Sequence, residues 1–176
     1  MTGVQTCALP IYSAGKLFEQ GKIFLPQLIQ TAGVAQAAFE VIKTTLIQRD
    51  AAPVSRGEVV LATVKGDIHD IGKNIVRVLL ENYGYTVLDL GKDVPCQLVA
   101  DTAKEHNVKL VGLSALMTTT LGAMEETIQL VKAACPDCKV VVGGAVLTAD
   151  YAEKIGADFY AKDAMETVAV AKQVVG

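Results

Sequence analysis

No apolar run in this chain approaches the ~20 residues that a membrane-spanning helix requires, although hydrophobic residues make up 51% of it and mean hydropathy is +0.37. The apolar residues are therefore expected to fill a soluble core, with no membrane partner. The N-terminus has no basic region followed by a long apolar core and a small-residue cleavage site, so no secretory leader is expected and the expected location is the cytoplasm. Basic excess is missing as well: a net charge of −3 and a pI of about 5.4 give no footprint for nucleic acid. Cysteine is sparse, at Cys7, Cys96, Cys135 and Cys138. An even count in a chain without a leader is poor evidence for disulfides, and reduced thiols are expected. Cys135-Pro136-Asp137-Cys138 has redox or zinc spacing. It ends a helical pattern, however, whereas thiol pKa values fall at helix starts. No second cysteine pair or histidine pair completes four zinc ligands, so the motif reads as a helix-to-strand turn. Internal repeats and low-complexity tracts are also lacking. At 176 residues the chain holds one full α/β domain and a small appendage, not two complete domains.

The pattern that is present divides the chain. Residues 1–12 have no clear periodicity and remain unassigned. Ser13–Gln20 reads as a short helix, Gly21–Phe24 as a turn, and Leu25–Gln48 as a long helix with Pro26 in its first turn. Leu28, Ile29, Ala32, Phe39, Ile42 and Leu46 form the apolar stripe of that helix. Two helices cannot close a bundle alone, so residues 13–49 are expected to be a partial helical cap lying on the next domain or on further helices. Residues 50–58, with Pro53, Ser55 and Gly57, read as a polar linker. Beyond it, short apolar strands alternate with helical patterns. Strands are predicted near Val59–Val64, Tyr85–Leu88, Leu110–Leu113, Val140–Val142 and Asp158–Tyr160. Helices are predicted near Lys73–Asn82, Gln97–Asn107, Thr120–Ala134, Tyr151–Ile155 and Met165–Val175. The alternation implies a five-stranded, doubly wound parallel sheet of flavodoxin-like Rossmann type over residues 59–176.

The stretch Thr63–Asn74 joins the first strand to the first helix and holds Asp67, His69 and Gly72. Open α/β sheets bind ligands at the carboxyl ends of their strands. A neutral imidazole there can give one ring nitrogen to a metal while a carboxylate holds the other N–H, which fixes the tautomer. The simpler reading is that Asp67 and Asp70 cap the following helix and that His69 is an exposed loop residue. Gly72, Gly143 and Gly144 lack Cβ atoms, so they allow either a close ligand or a turn with positive φ. His106, at a charged helix end, reads as a solvated residue favoured by the helix dipole.

Asp67-x-His69-x-x-Gly72, then Ser114-x-Leu116, then Gly143-Gly144, in that order and at those intervals, resembles the signature of the cobalamin (vitamin B12)-binding family. The flanks Lys65–Asn74 and Leu113–Thr120 are similar to the cobalamin module of methionine synthase and to the corrinoid proteins of methanol and methylamine metabolism. Phe24-Leu25-Pro26-Gln27 fits the helical cap of those proteins, and Gly156–Ala164 looks closest to methionine synthases. The resemblance runs from about Gly15 to the C-terminus.

By that resemblance, His69 is the lower axial ligand of cobalt, Asp67 holds its other nitrogen, and Thr120 is the last hydroxyl of the relay. Methionine synthases often have serine at this position, and for Thr120 a plain helix N-cap is the competing reading. Ser114, Leu116, Thr118, Gly143 and Gly144, with Gly72, are implied to bind cofactor around a slot for its nucleotide tail, although Leu116 also reads as core. Phe18 and Leu25 match cap residues that shield the upper cobalt face, or else they pack. The implied cofactor is cobalamin, cycling between cob(I)alamin and methylcobalamin. The implied role is a methyl carrier, first for homocysteine methylation to methionine, as a component of a methyltransferase that does not turn over alone. Its implied partners are methyl-donor and methyl-acceptor modules for folate and homocysteine, and a reductive reactivation partner. The alternatives are a corrinoid protein of methanol or methylamine methyl transfer, a cobalamin-dependent isomerase subunit, and a non-catalytic cobalamin sensor. A receiver or flavodoxin-like phosphate domain is disfavoured, since no cluster of acids stands at the first strand end.

Overall fold

The computed structural model describes residues 14, 17, 20–24, 26, 27, 30, 31, 34 and 55–176. The unassigned start, most of the two cap helices, and both Phe18 and Leu25 lie outside the described residues. The chain divides into two compact units, Met1–Val54 and Ser55–Gly176. In the first, Ala14 and Leu17 are helical, residues 20–23 turn, and Pro26, Gln27, Gln30, Thr31 and Val34 are helical again. Gln27 Oε1 accepts the Phe24 N–H at 2.7 Å, the back-bond of a capping box, which starts this helix beside Pro26 as its sequence predicts.

The second unit is a five-stranded parallel sheet of β1 (Glu58–Thr63), β2 (Thr86–Asp89), β3 (Leu110–Ser114), β4 (Lys139–Gly143) and β5 (Phe159–Tyr160), ordered β2-β1-β3-β4-β5. Its helices are α1 (Ile71–Asn82), α2 (Cys96–Glu105), α3 (Leu121–Ala134), α4 (Ala149–Lys154) and α5 (Ala164–Val174). Every strand and helix predicted over residues 59–176 is present to within two residues. Glu58, read as linker, begins β1, and its carboxylate meets His106 Nδ1 at 3.1 Å. His106, which follows α2, is therefore paired rather than simply solvated.

The strands read as continuous apolar runs because both faces are covered. Alternate residues of β1, β3 and β4 point to opposite sides. Val60, Ala62, Val111, Leu113, Val140 and Val142 pack with Val99, Ala103, Met124, Ile128 and Val131 of α2 and α3. Val59, Leu61, Leu110 and Val141 pack with Leu80 of α1 and Val168 and Ala171 of α5. The register sets Leu61 beside Gly112 and Gly112 beside Val141, which puts a glycine at the centre of the α1/α5 face.

The Cys135–Cys138 turn leaves α3 for β4, with the Cys138 N–H donated to Cys135 O at 3.0 Å. Both thiols are buried, and burial, together with the neighbouring Cys135, pushes the Cys138 thiol up to about 12. A thiolate is disfavoured there, so the turn reading holds and a redox role is unsupported. α5 starts on Asp163, whose Oδ1 accepts the Glu166 N–H at 2.9 Å. Asp163→Ala should cost about 1 kcal/mol, read as a lowered midpoint in urea with an unchanged slope. No helix among the described residues is long and apolar enough to cross a membrane.

Candidate functional site

β1 and β3 are neighbours whose following helices, α1 and α3, cover opposite faces of the sheet. The crevice at such a switch point is where ligands enter doubly wound sheets. Two loops meet there, one running from Val64 to Asp70 and the other from Ala115 to Thr120.

Asp67 joins the two loops. It is fully buried, and all of its polar capacity is used. Oδ1 accepts from the His69 N–H at 3.0 Å and faces His69 Nδ1 at 2.8 Å. Oδ2 accepts from Leu116 N at 2.7 Å, Met117 N at 3.1 Å and Thr120 Oγ1 at 3.1 Å. Burial by itself raises the Asp67 carboxyl pKa. The backbone donors His69, Leu116 and Met117, with the His69 ring, outweigh burial and hold it well below the usual carboxylate range. An ionised carboxylate only accepts, so in the neutral ring Nδ1 carries the proton and Nε2 keeps its lone pair. Nε2 makes no hydrogen bond among the described residues, and the His69 side chain is 45% exposed.

The helix-cap reading of these aspartates fails. Asp70 makes no side-chain cap bond, and Asp67 turns away from α1 toward the β3 loop. Thr120 likewise makes no cap bond to α3. It is buried, and its single hydroxyl proton is shared between Asp67 Oδ2 and Met117 O, the latter at 2.8 Å. His69, Asp67 and Thr120 thus form one connected chain of polar contacts.

Beside His69 opens a cavity of about 800 Å³ that runs down the sheet between α1 and α5. Gly72, Ser114, Leu116, Gly143 and Gly144 line it. Thr118 does not; it is exposed in a short 3-10 turn. Ser114 is held by Thr63 Oγ1 at 2.9 Å across paired strand ends. Leu116 is 42% exposed and is not core, because its N–H is committed to Asp67 and its side chain faces the cavity.

The paired glycines have different reasons. Gly144 has φ +143, and a Cβ there would stand 1.8 Å from Ala115 O, so the close approach of backbone alone requires glycine. A Cβ on Gly143 would meet Ala161 O at 3.1 Å, tight against backbone even without a ligand. Gly72 opens on free space. Around the cavity, Ile68, Ile71, Ile75 and Leu116 are exposed, Ile71 at 78%. Apolar side chains left bare round a cavity suit a broad, largely apolar ligand.

Gly112 was not among the residues singled out from sequence, yet it lies on the cavity wall between Leu61 and Val141. A glycine inside an otherwise Val- and Leu-rich strand was the available signal, since it marks close approach of a ligand or another backbone. A Cβ there would come 2.6 Å from Leu61 Cδ2, the movable end of another cavity-lining side chain. Gly112→Val should therefore push Leu61 into the cavity and leave the backbone in place. Overpacking of ~1–3 kcal/mol lowers affinity for a ligand in this cavity about 5- to 150-fold, measured by equilibrium dialysis with the melting temperature as control. Gly143→Leu is a poorer probe because Ala161 O already crowds that position.

No group of three or more His, Cys, Asp and Glu side chains capable of holding a bare metal ion occurs among the described residues. One half-exposed imidazole with a free Nε2, backed by a carboxylate and beside a large apolar-rimmed cavity, fits a metal that brings its other ligands in a macrocycle. A corrin does so.

The chain is similar to known proteins over nearly all of its length. The B12 binding domain family matches residues 57–169. Dimethylamine corrinoid protein 1 of Methanosarcina acetivorans is 45% identical over 163 residues, 92% of this chain and 76% of that protein. A cobalamin-binding protein from Desulfitobacterium hafniense DCB-2 superposes with a TM-score of 0.70 at 37% identity, covering 94% of this chain and 78% of that one. The methanol:cobalamin methyltransferase complex of Methanosarcina barkeri contains a chain with a TM-score of 0.72 at 31% identity, covering 93% and 62% respectively.

Proposed function

The chain belongs to the B12-binding domain family with cobalamin as its cofactor, and on that premise we propose that it is the methyl-carrying corrinoid protein of a methylamine methyltransferase system. Dimethylamine and trimethylamine corrinoid proteins stand among its relatives at 42–45% identity across 92% of this chain, which supports a methyl-carrier role in methylamine metabolism. Homocysteine methylation, the first expectation from sequence, has no counterpart among these relatives. The folate and homocysteine modules expected with it give way to methyltransferase subunits. The stretch Gly156–Ala164, which looks closest to methionine synthases, supplies Tyr160–Ala164 to the cavity wall.

The observation that supports the reading most is the Asp67–His69 pair beside the cavity. When bound, cobalamin supplies cobalt-centred methyl exchange. The chain supplies the rest. His69 Nε2 is the ligand offered to cobalt, and Asp67 keeps the ring in that tautomer and orientation. The His69, Leu116 and Met117 amides, with the His69 ring, keep Asp67 ionised against its burial, and Thr120 completes its hydrogen bonds. Gly72, Gly112 and Ser114 leave the space for the nucleotide tail, and Ile68, Ile71 and Leu116 exclude water from the corrin edge. We assign binding of the methylamine to a partner methyltransferase subunit and restoration of inactive cofactor to a reductive partner.

The test is to reconstitute the chain with cobalamin and mix it with dimethylamine plus its methyltransferase, with methanol plus its methyltransferase, and with the homocysteine and folate modules of a methionine synthase. A change in cofactor absorbance is expected with dimethylamine. Response to the homocysteine and folate modules alone would refute the assignment.

A further inference from the structure

Asp93, in the loop between β2 and α2, has φ +53, a left-handed backbone that residues other than glycine seldom adopt. One other non-glycine residue does so among the described residues, Asn107, and it merely follows the end of α2, where a left-handed residue commonly closes a helix. Asp93 closes nothing. Both of its polar groups turn instead to the loop that carries His69. Its N–H donates to Asp67 O at 3.0 Å, and its Oδ1 accepts the Gly66 N–H at 2.7 Å. The next residue, the buried Val94, bridges Val64 and donates its N–H to Thr63 O at 3.1 Å. The chain after β2 is thereby laid along the end of β1, and Asp93 grips the two residues that lead into the Asp67 side chain. Gly66 is itself left-handed, with φ +84, a backbone that glycine adopts without steric cost, and the loop after the neighbouring strand β2 holds this turn through the left-handed Asp93. Such strain persists where the surroundings over-determine it, and aspartate tolerates it better than most.

We infer that Asp93 is a positioning residue for the cobalt-ligand loop: by gripping Gly66 and Asp67 it sets how the Asp67 carboxylate meets His69, and with that the strength of the His69 bond to cobalt. The inference rests on His69 being the cobalt ligand, as proposed above.

The experiment uses the full chain with Asp93→Ala and Asp93→Asn. In the apoprotein, amide hydrogen exchange at Gly66 and Asp67 should speed up in Asp93→Ala, while Val111 and Val141 at the sheet centre stay protected. In the cob(II)alamin-loaded protein, electron paramagnetic resonance gives the ratio of histidine-bound to histidine-free cobalt. That ratio should fall about ten-fold in Asp93→Ala and return most of the way in Asp93→Asn, which keeps a side-chain acceptor and the left-handed backbone. Unchanged exchange at Gly66 together with an unchanged ratio would overturn the inference. So would loss of protection throughout the sheet in Asp93→Ala, which would assign the residue to the fold as a whole. If the wild-type protein itself lacked histidine-bound cobalt, the ligand assignment would fail, and the exchange data would still decide whether Asp93 holds the loop.

Discussion

His69→Ala should take up cobalamin and yet lose methyl transfer by about 100-fold or more, a loss of ~2.7 kcal/mol in transition-state stabilisation. Uptake survives because the cavity and its rim do not depend on the imidazole: Gly72, Ser114, Gly143 and Ile71 line that space on their own backbone positions. Transfer fails because His69 would be the side chain that holds and tunes the cobalt, and among the described residues no second histidine or cysteine lines the cavity to replace it. Among the described residues the remaining histidine, His106, sits at the far end of α2 with Glu58. Methyl-transfer rates with partner subunits and saturating cofactor check this. Wild-type rates in His69→Ala would remove the residue from the mechanism, and failure to bind cobalamin would mean that the cavity contributes less to uptake than its lining implies.

The second large effect is expected at Asp67, and it falls on stability and chemistry together. In Asp67→Asn the amide NH2 must replace one of two oxygens, and either choice sets it against donors. On one side it meets the His69 N–H and Nδ1, on the other Leu116 N, Met117 N and Thr120 Oγ1. At least two charge-assisted hydrogen bonds are lost in a fully buried place, a cost of ~3–5 kcal/mol. That is a large part of the ~5–15 kcal/mol that stabilises an ordinary domain. An amide turned toward His69 would also favour the ring tautomer that protonates Nε2, the form unable to bind metal.

The pH dependence has a defined sign. The folded-state pKa of Asp67 is depressed, so its contribution is complete above the unfolded value of ~3.9 and is lost as the pH falls from there through the folded value. Urea unfolding at pH 7 should show the full deficit of Asp67→Asn. Below pH ~4 the wild type should fall toward the variant. A deficit that stays constant with pH would assign the effect to packing rather than to the charge.

The sheet was legible because a parallel, doubly covered sheet writes each strand as an unbroken apolar run, as in Val59–Val64 and Val140–Val142, and each crossover as a helix. The core of the site was legible in part for a local reason: Asp67 and His69 are two residues apart on one loop, so a ligand pair could be raised there, but the choice against a helix cap rested on the resemblance carried with Ser114-x-Leu116 and Gly143-Gly144. Asp67's other partners are 49, 50 and 53 positions away, and only the β1–β3 register brings them in. That distance is why the choice between cap and relay for Thr120 stayed open in sequence and closed on its side-chain direction. Gly143 and Gly144 were recognised as a pair, but the demand on Gly144 comes from the Ala115 backbone, which no local pattern reports. Gly112, Thr63 and Asp93 were missed for the same reason, since each matters through a neighbouring strand or loop. The shielding expected of Phe18 and Leu25 falls outside the described residues.

Coordination of cobalt by His69 is tested most directly by electron paramagnetic resonance of the cob(II)alamin-loaded protein with and without ¹⁵N-labelled histidine. A single protein nitrogen on the cobalt axis should change the superhyperfine pattern from three lines to two on labelling, and His69→Ala should abolish that change. A pattern indifferent to the label, arising only from the cofactor's own base, would contradict it.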